Sequence, residues 1–260
     1  MRLIAPRGGD AAGERIAAAA IAAGVEDTPL TFLDRATPSY TAILEADGNL
    51  AIALADMALY DLYGPRQIAR RTVRDALSAA RVVITDANLP AATLSALTET
   101  CGKAGVPVFA IAISPAKVTR LNASCERLGG LFMNEAEARA LADVEPEHKS
   151  EWLTALRNVG LRAGVVTRGN AAAVAFDGNG CWSVTPPPAE KVADVTGAGD
   201  ALAAGFIDAF LDGADTGEAL RRGIAAAGIA VASPFAAPPE IDRASLGRAL
   251  SAVPPAAALP

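Results

Sequence analysis

Residues 81–111 decide the fold, and they read RVVITDANLPAATLSALTETCGKAGVPVFAI. Two short apolar runs, 81–85 and 106–111, flank a stretch at 91–104 that has the length and composition of a helix. A continuously apolar run is typical of a parallel strand buried on both faces, and parallel strands need a crossover connection. The segment therefore predicts a strand–helix–strand unit.

The same alternation continues toward the C-terminus. An apolar run at 130–133 leads into a helix at 135–142, and 163–167 predicts a further strand. An antiparallel hairpin at one sheet edge is predicted for 171–176 and 181–184, joined by Asp177-Gly178-Asn179-Gly180. Helices follow at 200–211, 216–232 and 242–252, before a Pro/Ala tail from Pro254 that we expect to be frayed. This pattern predicts a mostly parallel sheet with helices on both faces.

A different pattern occupies about 29–57. Strands at 40–44 and 50–54 flank Ala46-Asp47-Gly48-Asn49, in which Asp-Gly is a strong hairpin signal. Without repeats or a Gly/Ser linker, we expect one α/β domain over 1–260 with a small β appendage.

The composition argues against one class of partner, nucleic acid. The 260 residues are 52% hydrophobic and 20% charged, with a net charge of -6, as expected of an acidic globular protein. Proteins that bind nucleic-acid phosphates usually present a basic patch, and only 5% of residues are aromatic, which leaves few stacking surfaces. We therefore expect no nucleic-acid partner.

Histidine and cysteine usage excludes further classes of site. The single histidine, His148, lies in a charged segment that predicts an exposed turn, which argues against Ser-His-Asp, Cys-His and histidine-based metal sites. No signal peptide and no run long enough to span a membrane is visible, so we expect a cytoplasmic protein with no membrane partner. The cysteines are odd in number and lack CxxC spacing, which predicts buried thiols in a reducing compartment; they are Cys101, Cys125 and Cys181.

A second stretch predicts the chemistry. It reads Asp194-Val195-Thr196-Gly197-Ala198-Gly199-Asp200 and leads into a helix. Small residues at 197–199 let a ligand approach the backbone, and amides at a helix N-terminus attract anions. A bound phosphate would repel Asp200, unless that carboxylate serves to take a proton from an attacking hydroxyl. The stretch therefore predicts a phosphoryl-transfer site.

Simpler interpretations of this stretch stay open. Asp194 and Thr196 could merely cap a helix, with the glycines forming the turn before it. The sequence contains no Walker A loop, and Leu202 stands where a dinucleotide fingerprint has its third glycine. A dehydrogenase of the Rossmann type is therefore disfavoured.

The 194–200 stretch resembles the C-terminal signature of the ribokinase-like (PfkB) carbohydrate kinases. Two other segments agree in order and spacing. Asn134-Glu135-Ala136-Glu137 resembles the family's Asn-x-x-Glu motif, and Thr167-Arg168-Gly169-Asn170 resembles its Thr-x-Gly nucleotide turn. Alone, the first is more often a helix start and the second a turn. The resemblance implies an ATP-dependent kinase with a ribokinase-like three-layer α/β/α sandwich and a small β lid.

The resemblance also implies roles for single residues. Asp200 is the implied general base, and the implied cofactors are ATP, Mg²⁺ and, in some members, a monovalent cation such as K⁺. The other implied contacts are the anion hole (Gly197, Ala198, Gly199), the ATP site (Asn134, Thr167, Gly169, Asn170), Mg²⁺ through water (Glu137) and the monovalent cation (Asp194, Thr196).

The acceptor half resembles pseudouridine kinases more than ribokinases or phosphofructokinases. By this resemblance Ser39 and Tyr40 of the lid contact the acceptor together with Asn88, although Asn88 could equally cap a loop. The implied reaction forms pseudouridine 5′-phosphate from pseudouridine, while ribose, another nucleoside or a sugar phosphate stay open as acceptors. Lid strands pair between subunits in such kinases, which implies a homodimer.

The chain opens differently from these relatives. They begin with a strand bearing an Asp and then a Gly-Gly segment for the sugar, whereas Gly8-Gly9-Asp10 here resembles a later Gly-Asp-Asp-x-x-Gly stretch. We therefore expect either a start codon assigned too late or a truncated relative with impaired activity. The alternatives are a non-catalytic nucleotide-binding relative and a ribokinase-type sugar kinase.

Overall fold

The computed structural model describes residues 1–44, 50–144 and 149–259. The chain divides into two compact units, one of Met1–Ala76 with Asn88–Leu97 and one of Leu77–Ala87 with Thr98–Pro260. The single domain expected over 1–260 stays a prediction. The expected hairpin turn at 46–49 and His148 lie outside the described residues. Within the described ranges, no helix is long and apolar enough to cross a membrane.

The first unit consists of paired strands and short helices. In chain order they are β1 (Arg2–Leu3), β2 (Pro6–Gly8), α1 (Ala11–Ala22), β3 (Glu26–Asp27), β4 (Leu30–Phe32), β5 (Ser39–Leu44), β6 (Leu50–Asp56), a 3-10 helix (Ala58–Leu62), α2 (Pro65–Ile68) and α3 (Arg71–Ala79), which continues into the second unit. β1 pairs with β3 and β2 with β4, both in parallel. β5 and β6 form the antiparallel hairpin predicted as the lid.

Asp10 holds the start of α1 to the segment that leads into β5. Its Oδ1 accepts hydrogen bonds from the Gly13 amide at 2.9 Å and the Thr37 hydroxyl at 2.6 Å, and its Oδ2 accepts one from the Thr37 amide at 2.9 Å. The Thr37 hydroxyl in turn accepts from the Gly8 amide at 3.1 Å. These bonds, chiefly those from Thr37, lower the pKa of Asp10 to about 2. The Gly8-Gly9-Asp10 stretch is therefore a capped helix start.

The second unit is built on one seven-stranded sheet. Its elements are β7 (Val83–Asp86), α4 (Ala91–Lys103, which begins in the first unit), β8 (Val108–Ile111), α5 (Pro115–Val118), a 3-10 helix (Thr119–Arg127), β9 (Gly130–Asn134), α6 (Glu135–Ala142), α7 (Lys149–Asn158), β10 (Gly164–Arg168), β11 (Ala171–Phe176), β12 (Cys181–Val184), α8 (Ala198–Leu211), α9 (Thr216–Ala232), α10 (Arg243–Leu250) and β13 (Ala257–Ala258). The strand order is β13-β12-β11-β10-β9-β8-β7. β7 to β10 are parallel, and β11 to β13 are added antiparallel.

Apolar side chains cover both faces of this sheet. Phe109 and Phe132 pack on Phe206 of α8, with ring centroids 6.4 and 5.3 Å apart. Their strand neighbours Val108 and Leu131 are equally buried, and they point to the opposite face because side chains alternate along a strand. Both faces of the sheet are therefore covered, as the predicted α/β/α sandwich requires.

Two glycines let α8 and α9 approach each other closely. A Cβ on Gly205 would lie 2.7 Å from the carbonyl oxygen of Arg222, and one on Gly223 would lie 2.8 Å from that of Leu202. Real Cβ atoms do not tolerate such distances, so the helices pack backbone against backbone at this crossing. The contact fixes α8, whose first turn contains Asp200.

The C-terminal tail differs from the prediction. β13 pairs with β12, with Ala258 opposite Trp182, and the Leu259 amide donates to the Cys181 oxygen at 2.8 Å. The expectation of a frayed tail from Pro254 was wrong for these residues. Backbone N–H and C=O groups at the edge of β12 form hydrogen bonds with those of the tail. Because β13 forms the edge of the sheet, the predicted edge hairpin of β11 and β12 lies one strand in from that edge.

Candidate active site

A tight turn precedes α8 at the predicted anion hole. The Ala198 amide donates to the Val195 oxygen at 3.3 Å, and Gly197 adopts φ 81° and ψ -5°. These angles are those of the third residue of a type II turn, a position that favours glycine. The turn leaves Gly197, Ala198 and Gly199 at the N-terminus of a 14-residue helix, where backbone amides attract anions.

Gly197 is also required for space. A Cβ there would overlap the carbonyl oxygen of Ala236 and lie 2.8 Å from its carbonyl carbon. The chain before the turn is anchored as well, because the amides of Ala193 and Asp194 donate to the Val231 oxygen at 2.8 and 3.4 Å. The turn is thus held between the end of α9 and the segment that follows it.

Asp194 and Thr196 form a local turn of their own. The Asp194 Oδ1 accepts from the Thr196 amide at 2.8 Å, and hydrogen bonds from Thr196 lower the pKa of Asp194. The helix cap itself is Gly197. The side chains of Asp194 and Thr196 therefore do not cap α8. The Asp194 side chain instead closes a turn just before the helix begins.

Asp200 stands in the first turn of α8 and is an exposed residue. Neighbouring protein atoms nevertheless displace part of the water around its carboxyl group, and this loss of hydration raises its pKa. The negative charge of Asp86 raises the pKa further. A carboxylate with a raised proton affinity is a better general base for an alcohol.

Sequence reasoning did not identify Asp86 as a site residue. Asp86 is the last residue of β7, at the edge where the parallel strands end and where α/β sheets bind ligands. The available signal was a charged residue that closes an apolar strand. Its significance depends on α8 approaching that edge, which spacing alone does not reveal.

Asn134 and Glu137 form the start of α6. The Asn134 Oδ1 accepts from the Glu137 amide at 2.9 Å, and the Glu137 Oε2 accepts from the Asn134 amide at 2.7 Å. This is a capping box, so the helix-start interpretation holds here. Glu137 is 7% exposed, and burial raises its pKa, although the Asn134 amide opposes the shift.

The third motif lies beside the second. Thr167 in β10 is the register partner of Asn134 in β9, and its hydroxyl lies 3.5 Å from the Met133 oxygen. Gly169 then turns the chain with φ 62°, and Asn170 is exposed. The Arg168 Nε lies 3.3 Å from the Glu135 Oε1. This ion pair between β10 and the start of α6 links the two motifs, and sequence reasoning missed it.

The predicted acceptor contacts belong to the first unit. Ser39 and Tyr40 begin β5, and Tyr40 is 58% exposed. Asn88 follows β7 and is 8% exposed. The nucleotide and phosphoryl-transfer residues belong to the second unit, so each unit contains one of the two predicted halves.

The chain is similar to several known proteins. A model of the pfkB family carbohydrate kinases matches residues 1–242. The pseudouridine kinase of Escherichia coli K12 is 24% identical over 213 residues, which are 81% of this chain and 67% of that protein. A carbohydrate kinase from Agrobacterium tumefaciens is 52% identical with a TM-score of 0.89, over 99% of this chain and 82% of that one.

A more distant structure has the same fold. The ribokinase of Arabidopsis thaliana, solved with ribose and ATP, is 23% identical with a TM-score of 0.83, over 96% of this chain and 81% of that one. The family model covers most of the chain, and the chain therefore belongs to the pfkB family of carbohydrate kinases, with a ribokinase-like fold.

Proposed function

We propose that this kinase transfers the γ-phosphoryl group of Mg²⁺-ATP to a hydroxyl of a nucleoside or sugar. The observation that carries the proposal is Asp200, a carboxylate of raised proton affinity in the first turn of the helix that follows the Gly197 turn. A proton acceptor and an anion-binding N-terminus within one helical turn are the two elements that such a transfer needs.

The reaction follows from this pairing. Asp200 takes the proton of the acceptor hydroxyl while the acceptor oxygen forms a bond to the γ-phosphorus. The bond from that phosphorus to the bridging oxygen of ADP breaks, and the electron pair leaves with ADP. Amides of Gly197, Ala198 and Gly199 would stabilise the charge on the transferring group, a contribution of roughly 10²–10³ in rate for such donors.

Nucleotide binding is proposed for the linked motifs of the second unit. The exposed Asn170, the turn at Gly169 and the adjacent Asn134 and Thr167 lie at the ends of neighbouring parallel strands. Ligands of α/β sheets bind at such ends, which supports a role in holding ATP phosphates and ribose.

The residues present fit Mg²⁺ held mostly by water and phosphate. No cluster of three or more potential metal ligands occurs in the described part of the chain, and Mg²⁺ usually keeps several waters beside one or two carboxylates and substrate phosphates. Glu137, acting through water, is the proposed carboxylate, and the ion would neutralise charge on the phosphates. A K⁺ ion near Asp194 and Thr196 is proposed on the family resemblance alone.

Pseudouridine is the proposed acceptor. The match to the Escherichia coli pseudouridine kinase supports it, with Ser39, Tyr40 and Asn88 as proposed contacts. A sugar kinase of the ribokinase type is the second candidate, because the carbohydrate kinase of Agrobacterium tumefaciens has 52% identity to this chain.

A homodimer through the lid is also proposed. Three apolar side chains that share one face of the β5–β6 hairpin are about half exposed, at 48–58%, and would be covered by a second hairpin; they are Ile43, Ile52 and Leu54. A cytoplasmic location stays a prediction.

ADP release in the presence of Mg²⁺-ATP tests the function. Pseudouridine, uridine, ribose and fructose 6-phosphate are offered in parallel, with Asp200→Asn as the inactive control. We expect ADP that depends on an acceptor and is fastest with pseudouridine. A faster reaction with ribose supports the sugar kinase, and no acceptor-dependent ADP from any compound rejects the proposal.

A further inference from the structure

An ion pair joins the two motifs that are proposed to bind the nucleotide. The Arg168 Nε lies 3.3 Å from the Glu135 Oε1, and the two side chains are 27% and 30% exposed. The Arg139 Nη2 lies 3.4 Å from the same oxygen, one turn further along α6. Glu135 therefore contacts one guanidinium of its own helix and one of the adjacent strand β10.

Glu135 belongs to a well-fixed helix start. It is the first residue of α6 and directly follows Asn134, which forms a capping box with Glu137. Both hydrogen bonds of the box are short, at 2.7 and 2.9 Å. A capping box satisfies amides that a helix would otherwise leave without a partner, and it fixes the first turn. The Glu135 carboxylate therefore extends from a part of the backbone that is held in place.

Arg168 belongs to a part of β10 that the sheet holds less regularly. Val166 of β10 is opposite Val174 of β11. Arg168, two residues later, is opposite Ala171, three residues earlier in β11, so β11 has one extra residue here. Such a bulge interrupts the regular ladder of hydrogen bonds between two strands. The ion pair therefore restrains the end of β10 at the point where the regular ladder stops.

The neighbours of Arg168 in the chain are the proposed contacts of ATP. Thr167 precedes it and is the register partner of Asn134, and Gly169 and Asn170 follow it. Binding groups are effective when they are held within about 0.5 Å of their working geometry by supporting contacts. A contact that fixes Arg168 relative to α6 also fixes these neighbours relative to the other nucleotide motif.

We propose that Arg168 and Glu135 are positioning residues for ATP, which hold the turn at 167–170 against the start of α6. The inference deepens the proposed function and rests on its nucleotide site. The turn is proposed to hold the phosphates and ribose, which it would contact equally before and during phosphoryl transfer. Loss of the pair should therefore raise the Kd and KM for ATP and leave kcat at saturating ATP unchanged.

Calorimetry of ATP binding to the full chain in the presence of Mg²⁺ tests the proposal. Arg168→Gln and Glu135→Gln each remove one charge of the pair, and a third protein carries both substitutions. We expect each single variant to raise Kd roughly two- to five-fold, the contribution of a partly exposed ion pair. The double variant should raise Kd no further, because the two residues act as one unit. Arg168→Lys keeps the charge and should stay close to the wild type.

Glu218→Gln is the matched control. Glu218 pairs with Arg221 at 2.6 Å, and the two side chains are 35% and 22% exposed, close to the values of the proposed pair. It lies in the first turn of α9, where the Thr216 hydroxyl donates to the Asp177 Oδ2 at 2.6 Å. Asp177 follows Phe176, which is opposite the first residue of β10, so this pair lies near the far end of that strand. The control should keep the wild-type Kd for ATP.

Three results of the calorimetry overturn the proposal. They are an unchanged Kd in both single variants, a raised Kd in only one of them, and additive increases in the double variant. A rise confined to Arg168→Gln would mean that the guanidinium acts on the nucleotide directly.

ADP release gives a second readout. A lower kcat with an unchanged KM for ATP would indicate a general loss of folded enzyme and also overturns the proposal. Failure of the proposed function appears separately, as ATP binding by the wild type without any acceptor-dependent ADP. A wild type that does not bind ATP overturns both.

Discussion

Gly197→Ala is the substitution that most specifically disturbs the proposed anion hole. The new Cβ would overlap the Ala236 oxygen, and the residue would have to keep φ 81°. The left-handed conformation costs an alanine about 1–2 kcal/mol, and an overpacked contact adds about 1–3 kcal/mol. The turn relieves the overlap by moving, which takes its amides away from the phosphoryl group. We expect kcat to fall roughly 10²–10³-fold, the cost of losing such donors.

Gly213→Ala is the control that measures the cost of the left-handed conformation without any steric overlap. Gly213 follows the end of α8 with φ 84°, and a Cβ there meets no atom within 4 Å. It should therefore lose only about 1–2 kcal/mol of unfolding free energy and keep wild-type kcat. Urea denaturation gives the stabilities, and ADP release at saturating ATP and acceptor gives kcat. A folded Gly197→Ala protein with kcat within a few-fold of the wild type would refute the role of this turn.

Three further predictions concern packing, acid and thiols. Gly205→Ala places a Cβ 2.7 Å from the Arg222 oxygen and should lower the unfolding free energy by about 1–3 kcal/mol. Its control, Gly228→Ala, lies in open space on α9 and should keep the unfolding free energy or raise it by up to about 1 kcal/mol. Urea denaturation measures both variants, and equal losses would contradict the close helix crossing. The pKa of Asp10 is lowered to about 2, so the contribution of Asp10 to stability is fully present above its unfolded-state pKa and is lost as pH falls through about 2. Acid unfolding followed by circular dichroism should therefore show that Asp10→Asn is less sensitive to acid than the wild type between about pH 4 and 2. Burial raises the pKa of all three thiols, so a thiol-specific dye at about pH 8 should label none before unfolding, and rapid labelling of the native protein would contradict the burial of Cys101, Cys125 and Cys181.

Hydrophobic periodicity predicted most of the second unit. The strands at 171–176 and 181–184 and the helices at 135–142 and 216–232 have the predicted bounds, because long apolar patterns are reliable signals. Pairs such as β1 and β3 are two residues long, too short for any periodicity. The pairing of β13 depends on an open edge of β12, a property of the folded sheet.

The candidate site was predictable where one local segment contains its residues. The turn at 194–200 was predicted from its small residues before a helix, and the role of the start of α6 from its resemblance to the Asn-x-x-Glu motif. The capping box at Asn134 shows that one segment can begin a helix and still be proposed to bind ATP. Asp86 and the Arg168–Glu135 pair were missed, because each interacts with a residue that is distant in sequence. Tertiary packing, which local pattern does not encode, decides those contacts.

Turnover of Asp200→Asn at saturating ATP decides whether Asp200 is the general base. We expect acceptor-dependent ADP release to fall by roughly 10²–10⁴-fold, the usual contribution of a general base, while ATP affinity by calorimetry stays within a few-fold of the wild type. Retained turnover in a folded Asp200→Asn protein would contradict the assignment of Asp200 as the base and the mechanism built on it.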